Sequence, residues 1–389
     1  MKWAIASSIK TVEIVQAILN MQYWAPMTQR QSDDPSWLRL SHAVQLAKEI
    51  GLDKPTTIAE QVSFLCPNGT AKQKACLTQN FERTWYHCFI SDKSFGIISG
   101  KSSLVSWSQI PKSVSDWWQK AMASPHDRVV SGVVEMRQLL VKLLQQGKRK
   151  DKAPSCILKW YSQALIDMEQ VLSLRCAPDE KPSSLYLPIL AFYIDHSALI
   201  LGAQALRELA TLESADTTDE VITISRKNAN VASRLLDHVI YDRVFQDCKV
   251  GYHNNQFLMM CHASTEILNA INRGALDPGE IEQAAERSFT VAKRMEEISR
   301  YIPATSAVHL YFDISHFLSR EIRKASDIGK STLEKTDSTS SCATGEWLKL
   351  IDENTIDLSN WLDEGLFGSD PMLDAETRNF IEDGTIADV

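Results

Sequence analysis

The sequence predicts an all-α fold, in which a large, irregular multi-helix domain is followed by a disordered acidic C-terminal tail. Apolar residues recur at spacings of three and four along most of the chain, which is the period of an amphipathic helix. No hairpin turn such as Asn-Gly stands between alternating apolar runs, so strand signals are nearly absent. A change of composition after residue 324 predicts where the helical domain ends.

Two successive helices are predicted in the N-terminal part of the chain. Residues 1–16 are interpreted as the start of the first helix and not as a signal peptide, because Glu13 interrupts the short apolar run and no convincing cleavage site follows. In the next helix Asp34 can act as the cap, Pro35 suits the first helical position, and Gly51 is placed to end the helix. Its apolar face consists of Leu40, Ala43, Val44, Ala47 and Ile50.

A long helix is predicted over about 72–100, and helical patterns fill the rest of the domain, 1–324. Within the long helix, Asp92 lies in line with an apolar face made of Phe81, Trp85, Cys88, Phe89 and Phe95. The further predicted helices cover 127–146, 155–174, 185–211, 219–241, 254–272, 278–300 and 304–324.

Two segments of different composition follow the helical domain. Residues 325–345 are rich in Ser, Thr, Lys and Asp, which predicts a flexible linker. Residues 346–389 carry a net charge of −10, whereas the whole chain carries −8. The residues before this segment therefore have a net charge near +2. Aromatic residues and leucines set among acids are typical of a disordered activation segment. The apolar residues expected to contact a coactivator are Trp347, Leu358, Trp361, Leu362, Leu366 and Phe367.

Two segments carry a resemblance to a known family. The first has a tryptophan followed by the pattern A-x-x-L-A-x-x-x-G-L, here Trp37, Ala43, Leu46, Ala47, Gly51 and Leu52. The second has R-x-W, an aspartate seven residues later and G-K eight residues beyond it, here Arg83, Trp85, Asp92, Gly100 and Lys101. Together, and in this order, they resemble the fungal-specific transcription factor domain, the middle homology region of Zn2Cys6 zinc-cluster regulators.

The resemblance implies a transcriptional regulator in the nucleus that controls RNA polymerase II genes, metabolic genes among them. It implies coactivator or corepressor proteins, a homodimer partner or a small-molecule effector as binding partners. The family carries a C-x2-C-x6-C zinc cluster near its N-terminus, and this sequence has none. We therefore expect no cofactor in this chain, since zinc would belong to the absent cluster, and no DNA binding by this chain alone.

Several polar and aromatic residues admit both a structural and a functional interpretation. Asp92 on an apolar face is either the partner of a basic residue such as Arg83, or a ligand contact. Trp107, Trp117 and Trp118 either fill the core or line an aromatic pocket.

A metal site is not predicted. Cys248, His253, Cys261 and His262 are metal-competent residue types, but their spacing fits no standard zinc pattern. The eight cysteines are scattered, which predicts reduced thiols and not a disulfide framework. His309 and His316, two helical turns apart, are interpreted as packing residues.

The sequence favours neither an enzyme nor a membrane protein. It has no G-x-S-x-G, no phosphate loop, no G-x-G-x-x-G and no D-D-x-x-D run. The most apolar stretch, 187–206, is interrupted by Asp195, His196 and Gln204, so we expect no membrane span. The alternative to a transcriptional regulator is an all-helical scaffold or protein-binding module without transcriptional output, and the acidic tail is the feature that favours the regulator.

Overall fold

The computed structural model describes residues 10–24, 35–99, 103–110, 112–147, 153–176, 186–212, 218–247, 252–303, 306 and 308–334. All regular secondary structure in these ranges is helical, and they contain no strand, so the predicted all-α fold class is confirmed. The acidic tail, its six apolar contact residues, Gly100 and Lys101 lie outside the described residues.

The described part of the chain forms twelve α-helices and three short 3-10 turns. The helices are α1 (Val12–Trp24), α2 (Ser36–Glu49), α3 (Pro55–Leu65), α4 (Ala71–Ser99), α5 (Pro125–Gly147), α6 (Pro154–Ser173), α7 (Leu187–Ala210), α8 (Thr218–Tyr241), α9 (Arg243–Gln246), α10 (Asn254–Asn272), α11 (Pro278–Ser299) and α12 (Val308–Glu334). The 3-10 turns lie between α4 and α5 at Trp107–Gln109, Lys112–Ser115 and Trp117–Gln119.

The chain divides into two compact units, with the boundary inside α5 after Arg137. The described part of the first unit is 10–137 and that of the second is 138–334. The division falls within the single helical domain that the sequence predicts for 1–324. Helix α12 also continues to Glu334, ten residues into the predicted linker. Its buried stripe continues there because Ser326, four residues after the buried Ile322, is small enough to be buried as well.

In the first unit, four residues of the predicted apolar face of α2 are buried: Leu40, Ala43, Val44 and Ala47. The fifth, Ile50, is half-buried and follows the last residue of the helix. Gly51 has a φ of 72°, a left-handed conformation that glycine adopts without steric cost. Its N–H donates to Lys48 O and the Leu52 N–H donates to Ala47 O, which together form a Schellman motif. Leu52 is buried beyond the turn. Helix α2 begins at Ser36, one residue later than the predicted position of Pro35 as its first residue.

In the second unit, α7 is the central helix and is buried on nearly all sides by α6, α8 and α10. Among the described helices, α7 is the one that is long and apolar enough to cross a membrane by length and composition. However, 72% of its most apolar window is buried inside the protein, so its apolar surface is in contact with neighbouring helices.

Candidate functional site

Asp92, the aspartate of the second resemblance segment, anchors the chain that follows α4. Its side chain is fully buried. Oδ1 accepts a hydrogen bond from the Leu104 N–H at 2.9 Å, and Oδ2 accepts one from the Val105 N–H at 3.0 Å. The Ser103 hydroxyl also donates to Oδ2. The carboxylate therefore satisfies backbone donors that would otherwise be buried without partners.

Lys93 provides the positive charge beside Asp92. Its ammonium lies 3.9 Å from Asp92 Oδ2 and donates to the Val105 carbonyl at 2.6 Å. It also lies 4.5 Å from the centre of the Trp107 ring and 5.5 Å from that of Phe89. Arg83, suggested by the sequence as the partner of Asp92, faces elsewhere, because nine residues along a helix leave two side chains about half a turn apart. The geometry is that of a structural ion pair combined with backbone hydrogen bonds.

Arg83 instead joins α4 to the first turn of α5 through Asp127. Its Nε donates to Asp127 Oδ1 at 2.5 Å and its Nη2 to Oδ2 at 2.8 Å, a bidentate geometry that gives strong pairs. Burial by itself would raise the pKa of Asp127, but the hydrogen bonds from Arg83 and the Ser124 N–H outweigh it and lower that pKa. Arg83 therefore has a structural partner of its own.

The remaining described motif residues are packing residues of the first unit. The Trp85 indole N–H donates to the Gln109 carbonyl at 3.1 Å, and the Trp37 ring stacks on Phe95 with centroids 5.6 Å apart. Ala43, Leu46, Ala47 and Leu52 are buried. The resemblance segments thus meet along α4 and hold the following turns in place.

The three tryptophans between α4 and α5 each have a packing partner. Trp107 packs edge-on against Phe89 at 5.1 Å and Trp117 against Tyr86 at 4.8 Å. The Trp117 indole N–H also donates to Glu82 at 2.8 Å. Trp118 lies beneath the Arg128 guanidinium at 4.9 Å. Trp107 and Trp117 are buried, which favours their interpretation as core residues, whereas Trp118 is only half-buried.

The described metal-competent residues, His253, Cys261 and His262, are not grouped as metal ligands. The part of the chain that the structure describes contains no group of three or more His, Cys, Asp or Glu side chains arranged to hold a metal ion. Cys261 donates to the Tyr311 carbonyl, His262 contacts His196, and Cys248 lies outside the described residues. The six described cysteines form no disulfide with one another.

The two histidines of α12 differ in environment. His309 packs edge-on against Phe312 with ring centroids 5.3 Å apart, as a packing residue would. His316 is 44% exposed and lies 3.7 Å from Glu296. The interpretation of His316 as a packing residue is therefore wrong, because its position on α12 faces solvent.

The second unit contains a buried polar network that the sequence analysis did not predict. The Tyr161 hydroxyl on α6 donates to Asn228 Oδ1 on α8 at 3.2 Å. Asn228 Nδ2 in turn donates to Glu266 Oε2 on α10 at 2.5 Å. Asn269 Nδ2 donates to the other Glu266 oxygen at 3.3 Å. The network therefore connects three helices through the core of the second unit.

A buried pair of histidines continues the network to α7. His262 Nδ1 and His196 Nε2 are 3.3 Å apart, and the two rings are nearly perpendicular. His262 Nε2 also lies 3.9 Å from Glu266 Oε1. Burial lowers the pKa of His262, and the charge of Glu266 only partly opposes this effect. The ring is therefore neutral at neutral pH, so one histidine can donate to the other.

Gly202 makes room for this network on α7. A Cβ atom at this position would lie 2.5 Å from Asn228 Cγ and 3.0 Å from the Tyr161 hydroxyl oxygen. The available sequence signal was the group of polar residues that interrupts the apolar stretch of α7, together with a glycine inside it. That signal does not identify the partner helices.

The neutral state of His262 predicts that the second unit is sensitive to acid. The unfolded state takes up a proton at His262 near pH 6.5, whereas the folded state does not, so stability falls as pH drops below about 6.5. The slope contributed by one such proton approaches about 1.4 kcal/mol per pH unit. Urea unfolding between pH 7.5 and 5 should show this slope in the wild type and a reduced slope in His262→Gln.

The first unit provides an internal reference for this measurement. Burial, followed by the charge of Arg83, lowers the pKa of His87 to about 4, which produces a loss of stability of the same sign. His87→Gln should therefore reduce the acid slope of the first unit and leave that of the second unit unchanged. An unchanged slope in His262→Gln would contradict the prediction.

No family model matches the chain, and neither a curated protein nor a solved structure matches it.

Proposed function

We propose that this chain is the regulatory and activating part of a fungal transcription factor of the zinc-cluster class. The observation that carries the proposal is the resemblance of the segments Trp37–Leu52 and Arg83–Lys101 to the middle homology region of that class. Their described residues pack along one helix, α4, and their polar groups bond to the chain itself. This supports a motif that builds a helical module and not one that carries out a reaction.

The proposed mechanism separates control from output. The helical body binds an effector, a second copy of the chain, or a coregulator, and the acidic tail engages the transcription machinery in the nucleus. The sequence lacks the C-x2-C-x6-C pattern, so this chain's residues do not fit the family's zinc cluster. DNA recognition is accordingly not attributed to this chain.

The tail supports the output half of the proposal. Leu358, Trp361, Leu362 and Leu366 fall at spacings of three and four, so a helix formed on binding would place them on one face. The acids among them, Asp357, Asp363 and Glu364 included, repel one another and disfavour collapse of the free segment. A hydrophobic coactivator groove with a basic rim is the partner that this pattern would suit.

A reporter assay tests the proposal. We expect residues 346–389, fused to an unrelated DNA-binding domain, to activate transcription. Trp361→Ala combined with Leu362→Ala should reduce reporter activity by about tenfold or more, because buried aromatic and aliphatic anchors dominate such interfaces. The matched control is Met372→Ala with Leu373→Ala, an apolar pair in the same tail outside the predicted contact face.

The opposite results would lead to the alternative function. If the fusion is inert at normal expression, or if deletion of 346–389 lowers the melting temperature of the helical body, the tail is structural. The chain is then better described as an all-helical scaffold or protein-binding module without transcriptional output.

A further inference from the structure

An ionic cluster in the second unit places one histidine between two carboxylates from different elements. His238, on the last turn of α8, has its Nε2 3.3 Å from Asp195 Oδ2 on α7. Its Nδ1 lies 2.6 Å from Oδ2 of Asp242, the residue immediately before α9. The histidine therefore connects the buried central helix to the corner between α8 and α9.

The surrounding charges make a cation at His238 favourable. Asp195 is buried and is held by Arg234, whose Nε and Nη2 donate to it at 2.6–3.0 Å. Arg234 also donates to Glu169 of α6 at 3.0 Å. The cluster contains three carboxylates, Glu169, Asp195 and Asp242, and one arginine, Arg234. A protonated His238 therefore reduces the net negative charge of the cluster.

The charged groups on the other neighbouring elements have partners of their own. Arg294 on α11 donates to the Phe245 carbonyl. On the side of α11, Arg287 donates to Asp237 at 2.8 Å. On α9, Arg243 donates to Asp247 at 3.0 Å. These pairs leave Asp195 and Asp242 as the carboxylates that face the His238 ring.

The two contacts of His238 require its protonated form. A neutral imidazole has a single N–H, so it can donate to one carboxylate while its other nitrogen directs a lone pair at the second. Burial by itself would lower the pKa of His238, but the hydrogen bonds to Asp195 and Asp242 outweigh it and raise that pKa above its ordinary value. The side chain is 18% exposed, so it can exchange protons with solvent.

The corner that Asp242 begins holds a buried aromatic side chain. Phe245 of α9 is 3% exposed and lies 5.2 Å from Phe192 and 5.9 Å from Tyr252, measured between ring centroids. The Tyr252 hydroxyl donates to the Phe245 carbonyl at 2.9 Å. Movement of Asp242 would therefore disturb the packing of Phe245 against α7.

We propose that His238 is a proton-controlled latch that keeps the α8–α9 corner closed when protonated and allows it to open when neutral. Loss of the proton leaves a lone pair facing a carboxylate and increases the net negative charge of the cluster. Asp195 cannot withdraw, since α7 is buried and Arg234 holds it. Asp242 lies on the short corner, so the corner is the element that moves. The latch is independent of the proposed transcriptional role.

The sign of the pH dependence follows from the raised pKa. The stabilisation from His238 is fully present below its unfolded pKa, about 6.5, and is lost as pH rises through the folded pKa. We expect amide hydrogen exchange at residues 243–247 of the full chain, corrected for intrinsic base catalysis, to increase by about fivefold or more across this transition. Titration of the His238 ring by NMR should show the same midpoint.

Two variants and one control complete the test. His238→Gln should show fast exchange at 243–247 at every pH, without the pH-dependent increase. Asp242→Asn should also lose the pH-dependent increase, because an amide carries no charge and can donate a hydrogen bond to the neutral ring. His316→Gln, at the exposed histidine of α12, should keep the increase. An increase that persists in His238→Gln, or a wild-type His238 that titrates below its ordinary pKa, would overturn the latch. If His238→Gln does not fold, the wild-type titration together with Asp242→Asn still decides the question.

Discussion

Asp92→Ala is expected to destabilise the first unit by about 3–5 kcal/mol, the cost typical of removing one partner from a buried ion pair. The variant would leave the Lys93 ammonium buried without its carboxylate. It would also leave the Leu104 and Val105 N–H groups without their acceptor, each at a cost of about 1–3 kcal/mol if water cannot reach them. Chemical unfolding followed by tryptophan fluorescence should report the loss, because Trp107 packs beside this cluster.

Two further variants separate the charge of Asp92 from its shape. Asp92→Asn keeps the side-chain volume and one acceptor oxygen, so its loss of stability should be smaller than that of Asp92→Ala. Glu60→Ala removes an exposed carboxylate of α3 and should change stability by no more than about 0.5 kcal/mol. An Asp92→Ala protein with normal unfolding but without an effector response would instead place Asp92 in a functional site.

The sequence predicted most helices well because their apolar stripes are a local property. Helix α6 was predicted over 155–174 and is observed at Pro154–Ser173, and α8 was predicted over 219–241 and is observed at Thr218–Tyr241. Partners of buried polar groups are a different matter, because they depend on which helices meet. Asp127, the partner of Arg83, is 44 residues away along the chain and could not be inferred from spacing.

The candidate sites show the same distinction. The Gly51 turn was predicted because a glycine after an amphipathic stripe is a local signal. The network of Tyr161, Asn228 and Glu266 was missed because each residue on its own is unremarkable within its helix. Only the packing of α6, α8 and α10 against each other brings the three side chains together.

The two histidine sites of the second unit have opposite pH requirements. His262 is buried and stabilises the fold when neutral, whereas His238 bridges two carboxylates and stabilises it when charged. Lowering the pH therefore destabilises the α7–α10 contact, and raising the pH destabilises the α8–α9 corner. The stability of this unit should pass through a maximum between the two transitions.

Gly202→Leu is expected to destabilise the second unit strongly. Even the first added carbon would overlap Asn228, so the Tyr161–Asn228–Glu266 chain must break or α7 and α8 must separate. Overpacking typically costs about 1–3 kcal/mol, and a broken buried hydrogen bond adds about 1–3 kcal/mol for each unsatisfied group. The gain of about 1 kcal/mol from replacing a helical glycine does not compensate. Gly202→Ala should lose stability for the same reason, but less than Gly202→Leu.

A double-mutant cycle with Asn228→Ala identifies the cause of this loss. Removing the Asn228 side chain eliminates the clash, so the combined Gly202→Ala and Asn228→Ala variant should lose less stability than the sum of the single variants. Gly279→Ala, near the start of α11, is the matched control, because its added carbon would meet only Asp277 Oδ1 at 3.4 Å. It should be neutral or slightly stabilising. Additive losses in the cycle would show that Gly202 acts on the backbone of α7 and not through Asn228.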